Sequence, residues 1–67
     1  MSLEKIIKQM YPFSCCVPHN TKLKTIRKWC KLNEITQFDV IRKDKITIVY
    51  FSEQDDMILA SLYWAED

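Results

Sequence analysis

Glycine is missing altogether from this 67-residue chain. That excludes the glycine-rich loops of P-loop and Rossmann nucleotide sites, where only a residue without Cβ lets the backbone approach a phosphate closely. It also excludes a flexible Gly/Ser linker. Proline occurs only at Pro12 and Pro18, and no run approaches the ~20 apolar residues of a membrane span. The opening MSLEKIIKQM carries charges among its apolar residues, so no secretory signal is expected. Three cysteines, an odd number, fit reduced thiols in a cytosol-like compartment better than a disulfide scaffold. Bases are missing from residues 46–67, which hold Glu53, Asp55, Asp56, Glu66 and Asp67.

The remaining composition favours a folded domain. Apolar residues make up 48% of the chain, which argues for a core rather than disorder. A single domain is expected, with about 60% of the unfolded chain's surface buried. The net charge of +1 conceals two unlike ends. Against the acidic C-terminal third stand eight bases in residues 21–45, opposed there only by Glu34, Asp39 and Asp44. Such asymmetry bears on partners rather than on fold.

Ser2 is a candidate cap for a helix over 3–10, ended by Pro12. FSCCV, residues 13–17, has strand length and lies between the two prolines. Asn20 or Thr21 then caps a helix over 21–33. Its apolar stripe is Leu23, Ile26, Cys30 and Asn33, widened by Trp29 and Leu32, with Lys24, Lys28 and Lys31 opposite and Arg27 close by. QFDVIR and KITIVYF alternate as strands, with KD between them as a hairpin turn. Phe38 and Val40, with Ile46, Ile48 and Tyr50, mark period-2 faces, and Ile41, Val49 and Phe51 suggest a second covered face. SEQD, residues 52–55, reads as a capping box opening a helix over 53–65 with Ile58, Ser61, Leu62 and Ala65 buried, joined by Met57, Tyr63 and Trp64.

The element order α-β-α-β-β-α predicts an α+β fold. Without its first helix it is a truncated ferredoxin-like unit lacking the last strand, a small three-stranded sheet with helices on one face. The first two strands are expected to be related by a right-handed parallel crossover. The other sheet face is expected to be left partly open, and an open apolar face would mark a partner or a dimer interface.

Several constellations could carry chemistry. Cys15 or Cys16, His19 and Cys30 are ligand types that suit zinc, but a closed site needs four and no second Cys/His pair exists. On a strand, Cys15 and Cys16 also point to opposite faces. Small buried residues beside a surface histidine explain the same pattern, and no metal or other cofactor is expected. Cys16 near His19 is the one suggestion of a thiol nucleophile, without an oxyanion loop or an orienting third residue. Asp55 and Asp56 are explained by the positive end of a helix. No enzyme signature survives.

The basic residues Lys22, Lys24, Arg27, Lys28 and Lys31, with Arg42, Lys43 and Lys45 from the hairpin, are candidate phosphate contacts, and Trp29 or Tyr11 is a candidate stacking platform. The strand order is that of an RNA-recognition motif, but its glycine-bearing signature is missing and the acidic last helix would repel phosphate. Tyr63 and Trp64 point about 100° apart on a helix, so at least one is expected to be exposed, and aromatic residues dominate interface hot spots.

The C-terminal half resembles the endings of short uncharacterised bacteriophage proteins. Tyr50-Phe51, Ser52-Glu53, Asp55 and Leu62-x-Trp64 carry the likeness, and TIRKWC, residues 25–30, resembles the R/E-x-W-C segment of the helix before. Asp56 stands where a small residue is usual. The resemblance implies a viral origin, a compact α+β fold and an accessory role in the host cytoplasm, and it transfers no site residue. The expectation is therefore a non-enzymatic protein that binds and modulates or inhibits a bacterial host protein, without a membrane. Its contacts would be Lys24, Arg27, Lys28, Lys31, Tyr63 and Trp64. A small nucleic-acid binder using helix 21–33, and a self-assembling structural protein forming a homodimer, remain as alternatives.

Overall fold

The computed structural model describes residues 2–65. Helix α1 (Leu3–Met10) begins where Ser2 Oγ accepts the Lys5 N–H at 3.3 Å, which satisfies one of the orphan donors of a helix start. Its last turn closes with the Tyr11 N–H on Ile7 O at 2.7 Å, directly before Pro12. Strand β1 (Phe13–Val17) matches its expected span.

Helix α2 (Leu23–Leu32) starts later than its sequence suggests. Neither Asn20 nor Thr21 is its cap. The Thr21 N–H is already committed to Pro18 O at 2.9 Å in a tight turn, and Lys22 takes the cap position without a side-chain bond. The helix ends in a Schellman arrangement. Glu34 N–H bonds Lys31 O at 3.1 Å and Ile35 N–H bonds Cys30 O at 2.8 Å, while Ile35 and Cys30 are both buried. Closing the motif requires a left-handed residue, and here Glu34 fills it at φ 59° because no glycine is available.

Strands β2 (Phe38–Arg42) and β3 (Thr47–Phe51) form the expected hairpin, and β3 is the central strand of the order β1-β3-β2. Both neighbours run antiparallel to it, with Cys15 and Val40 opposite Val49 from either side. The two edge strands are therefore parallel to each other, joined through α2, with β3 inserted between them. This is the strand order of the ferredoxin-like unit without its last strand.

The hydrogen-bond phase of the sheet follows from two bonds at the ends of the hairpin. Lys43 N–H reaches Ile46 O at 2.8 Å and Ser52 N–H reaches Gln37 O at 3.4 Å. Because bonded and non-bonded pairs alternate, Asp39 and Ile41 bond to Tyr50 and Ile48, and Thr47, Val49 and Phe51 turn their backbone groups toward β1. Those three meet Val17, Cys15 and Phe13. The backbone groups of Ser14 and Cys16 are left facing away from the sheet.

Helix α3 (Gln54–Tyr63) follows with Glu53 at its cap position and no side-chain cap bond, so the capping box read from SEQD does not form. Ser52 is instead tied by its backbone to Gln37. The buried stripe is also different from expectation. Ala60 is fully enclosed, with Met57 and Trp64 packed beside it, whereas Ile58, Ser61, Leu62 and Ala65 face outward. The sequence pattern is ambiguous because apolar residues encircle this helix.

The main core lies between the sheet and the pair α2 and α3. It joins Cys15 and Val17, Val49 and Phe51, Ile26, Trp29 and Cys30, Ile35 and Ala60. Full enclosure of Ile26 and Phe51 stabilises the fold by about 1.5–3 kcal/mol each. Tyr50 and Ile48 alternate to the opposite face. There α1 covers part of the sheet: Ile7 and Tyr50 are buried, and Tyr50 Oη donates to Glu4 Oε2 at 3.2 Å. Lys43 Nζ holds the same carboxylate oxygen at 3.0 Å. On that face β1 stays open, since Ser14 and Cys16 are exposed.

Candidate interaction surfaces

Chemistry-bearing groups do not converge. Among the described residues, no three His, Cys, Asp or Glu side chains lie where they could hold one metal ion. Cys15 and Cys30 are buried and Cys16 is exposed on the other face, which separates the thiols read as one ligand set. Burial pushes the Cys30 thiol up to about 11, aided by the negative charge of Asp56, and burial also raises that of Cys15. Burial thus disfavours the thiolate at both positions, the form that attacks a carbon or binds a metal.

The expected basic face is present. Lys24, Arg27, Lys28 and Lys31 are all exposed on the side of α2 away from Ile26 and Cys30. The hairpin bases do not extend it freely. Arg42 donates through Nη2 to Thr21 O, and Lys43 is paired with Glu4, so two of the eight bases have partners within the chain. Lys22 and Lys45 are exposed. Tyr11 is half-buried and Trp29 lies in the core, which leaves Trp29 unable to stack on a base.

A second surface is larger than sequence periodicity suggested. Leu62 is 72%, Tyr63 61%, Ile58 46% and Leu59 42% exposed on one continuous side of α3. Spacings of 58/62 and 59/63 place these residues in two adjacent i,i+4 rows. Tyr63 is anchored at its base rather than loose. Its ring lies 5.4 Å from Trp29 and 4.9 Å, edge-on, from Trp64, and Trp64 lies 4.7 Å from Trp29. Offset and edge contacts of this kind contribute about 0.5–1.5 kcal/mol beyond burial. Of the two expected contact aromatics, Tyr63 is exposed, while Trp64 is half-buried and braces it. On α2, Leu32, expected in the buried stripe, is 72% exposed one turn beyond Trp29.

The chain matches no family model, no curated protein and no solved structure. The reading of these surfaces therefore rests on their own chemistry. Asp55 and Asp56 occupy the first turn of α3 and Lys31 the last turn of α2.

The signal for this face lay in the composition of residues 57–65. Only Ser61 among 57–65 is polar apart from the Tyr63 hydroxyl. A helix apolar all round, on the outside of a small fold, has one side without a neighbour in its own chain. No helix among the described residues is long and apolar enough to cross a membrane.

Proposed function

We propose that this chain is a non-enzymatic protein-binding module, and that α3 presents its contact surface. The observation that carries the reading is the pair of exposed apolar rows on α3, set beside the packed Trp29–Tyr63–Trp64 group. Aromatic anchors pre-positioned by packing lose little side-chain entropy when they bind, the property shared by interface hot spots. The basic row of α2 and the acidic start of α3 would steer and select a partner of complementary charge. The likeness of residues 46–67 to bacteriophage proteins supports the narrower proposal of a phage-encoded protein that binds and modulates a bacterial host protein in the host cytoplasm.

The test is retention of a partner from nuclease-treated bacterial extract on immobilised protein, compared between the native chain, Leu62→Glu with Tyr63→Ala, and Lys24→Glu with Lys28→Glu. One protein held at near-equal stoichiometry by the native chain and lost with the α3 variant is the expected result. If the α3 variant retains it fully, the proposal fails. Nucleic acid recovered without nuclease, lost on reversing Lys24 and Lys28 and falling steeply with salt, would instead assign the work to α2.

A further inference from the structure

The two edges of the sheet are treated differently. On β2 the outward Val40 N–H is taken by Asp39 Oδ1 at 2.8 Å, and Arg42 ends the strand with a charge. A capped donor and flanking charges keep an edge from pairing. On β1 there is no charge from Phe13 to Val17, and Ser14 and Cys16 present outward N–H groups between exposed, small side chains, with Cys16 O accepting only a long contact, 3.5 Å, from the Cys15 thiol. Beside this edge runs a groove of about 460 Å³ whose walls include Cys15, Val17, Ser61 and Trp64. It is the position that the missing last strand of the ferredoxin-like unit would fill.

The pattern along β1 specifies what fits there. Outward donors occur at Ser14 and Cys16, and the positions in phase with them on either side, 12 and 18, are the chain's only prolines, which have no N–H. Proline, donor, donor, proline is symmetric about Cys15. An antiparallel copy of the same segment therefore meets every requirement in one register. Ser14 faces Cys16 of the copy and Cys16 faces its Ser14, each pair exchanging two hydrogen bonds. Pro12 lies opposite Pro18, so the ladder stops where donors stop. Moving the register by two residues sets a proline against a donor position, where only one of a pair's two hydrogen bonds can form, and where that proline is Pro18 the carbonyl that would accept it already holds the Thr21 N–H at 2.9 Å.

We propose that β1 is a self-pairing edge, joining two copies of this chain across a two-fold axis at Cys15 into one six-stranded antiparallel sheet. Such a contact is isologous, with the same surface used by both copies. Charge also permits it. The two-fold sets the α3 helices antiparallel on one face, which carries their acidic first turns, Asp55 and Asp56, to opposite ends. The proposal is independent of the binding role given to α3.

The test measures mass by sedimentation equilibrium over a wide concentration range, with amide exchange followed by NMR at its two ends. A monomer–dimer equilibrium is expected, insensitive to salt because no charge faces the axis. The Ser14 and Cys16 amides should exchange at least about tenfold more slowly at high concentration, while the Val40 amide keeps its rate. Ser14→Pro removes an outward N–H without touching the β3 ladder, and Cys16→Lys sets like charges diagonally across the axis. Each should weaken association by about tenfold or more, since every loss counts twice. Circular dichroism of dilute samples checks that both variants fold, and Cys16→Lys alters only an exposed side chain. A monomer at all concentrations overturns the proposal. So does a dimer whose Ser14 and Cys16 amides are unprotected, or one that high salt or Lys28→Glu dissolves, which would place the contact on the charged helices.

Discussion

Replacing Glu34 by glycine should make this protein more stable, although it deletes a side chain. The residue holds φ 59° to close the end of α2. For a residue with Cβ that conformation costs about 1–2 kcal/mol, and glycine removes the cost. Glycine gives back about 0.5–1 kcal/mol through the greater freedom of its unfolded chain. A carboxylate beyond a helix C-terminus also opposes the helix dipole, a term of a few tenths of a kcal/mol at an exposed position. The balance favours Glu34→Gly by about 1 kcal/mol, which for a domain of this size raises Tm by about 4–8 °C. Glu34→Gln separates the two contributions, because it removes the charge and keeps the strained conformation. Thermal unfolding followed by circular dichroism, on dilute samples of all three proteins, should rank glycine above glutamine and glutamine slightly above the native chain. A glycine variant no more stable than the glutamine one would refute the reasoning, since the left-handed conformation would then cost nothing.

Other substitutions probe the remaining layers. Thr47 is fully buried and its Oγ1 has no hydrogen-bond partner among the described residues, so Thr47→Val should stabilise by about 1–2 kcal/mol in chemical denaturation; a loss of stability would mean the hydroxyl is satisfied. Glu4 is held below its ordinary value of 4.5, first by the hydrogen bond from Lys43, against some desolvation, and then by Tyr50 and the charges of Lys43 and Lys8. A carboxyl depressed in the folded state adds stability above that ordinary value and loses it as pH falls through the folded value. The Tm gap between the native chain and Glu4→Gln should thus be widest near neutrality and close under acid, and a gap independent of pH would contradict the pairing. Iodoacetamide at mildly alkaline pH should label Cys16 in the native protein, and Cys15 and Cys30 only after denaturant, as read by mass spectrometry.

Much of this architecture was legible in the residues, and the exceptions have physical reasons. Ser2 capped its helix and FSCCV formed its strand where the local pattern of cap residue and apolar run between prolines placed them. Asn20 and Thr21 did not cap α2 because the helix begins only at Leu23, with Lys22 at the cap position and Thr21 outside it in a turn closed on Pro18 O. The period of residues 53–65 could not locate the buried side of α3, because apolar residues surround that helix and only tertiary contact with β1 and Trp29 selects Met57, Ala60 and Trp64. Tyr50 and Ile48 read as one face of a strand, but which face meets two helices and which meets α1 depends on the order β1-β3-β2, a long-range property. The basic row of α2 was visible at once, since charges at 3–4 spacing need no partner to be placed. The commitments of Arg42 and Lys43 were not, as their acceptors, Thr21 O and Glu4, are distant in sequence.

The position of β3 has a consequence for the birth of the molecule. Its five residues, 47–51, come last among the three described strands, and both others pair with it. Until they leave the ribosome, β1 and β2 have no neighbour to bond, and α2 has no sheet on which to lay its apolar side. Helical turns can flicker in the nascent chain, but no sheet can begin, because every ladder is non-local or waits on the hairpin. Folding must therefore come late and together rather than step by step along the chain. Synthesis interrupted between Arg42 and Thr47 would release two bare strands and a sticky helix, a species for proteases rather than a partial protein.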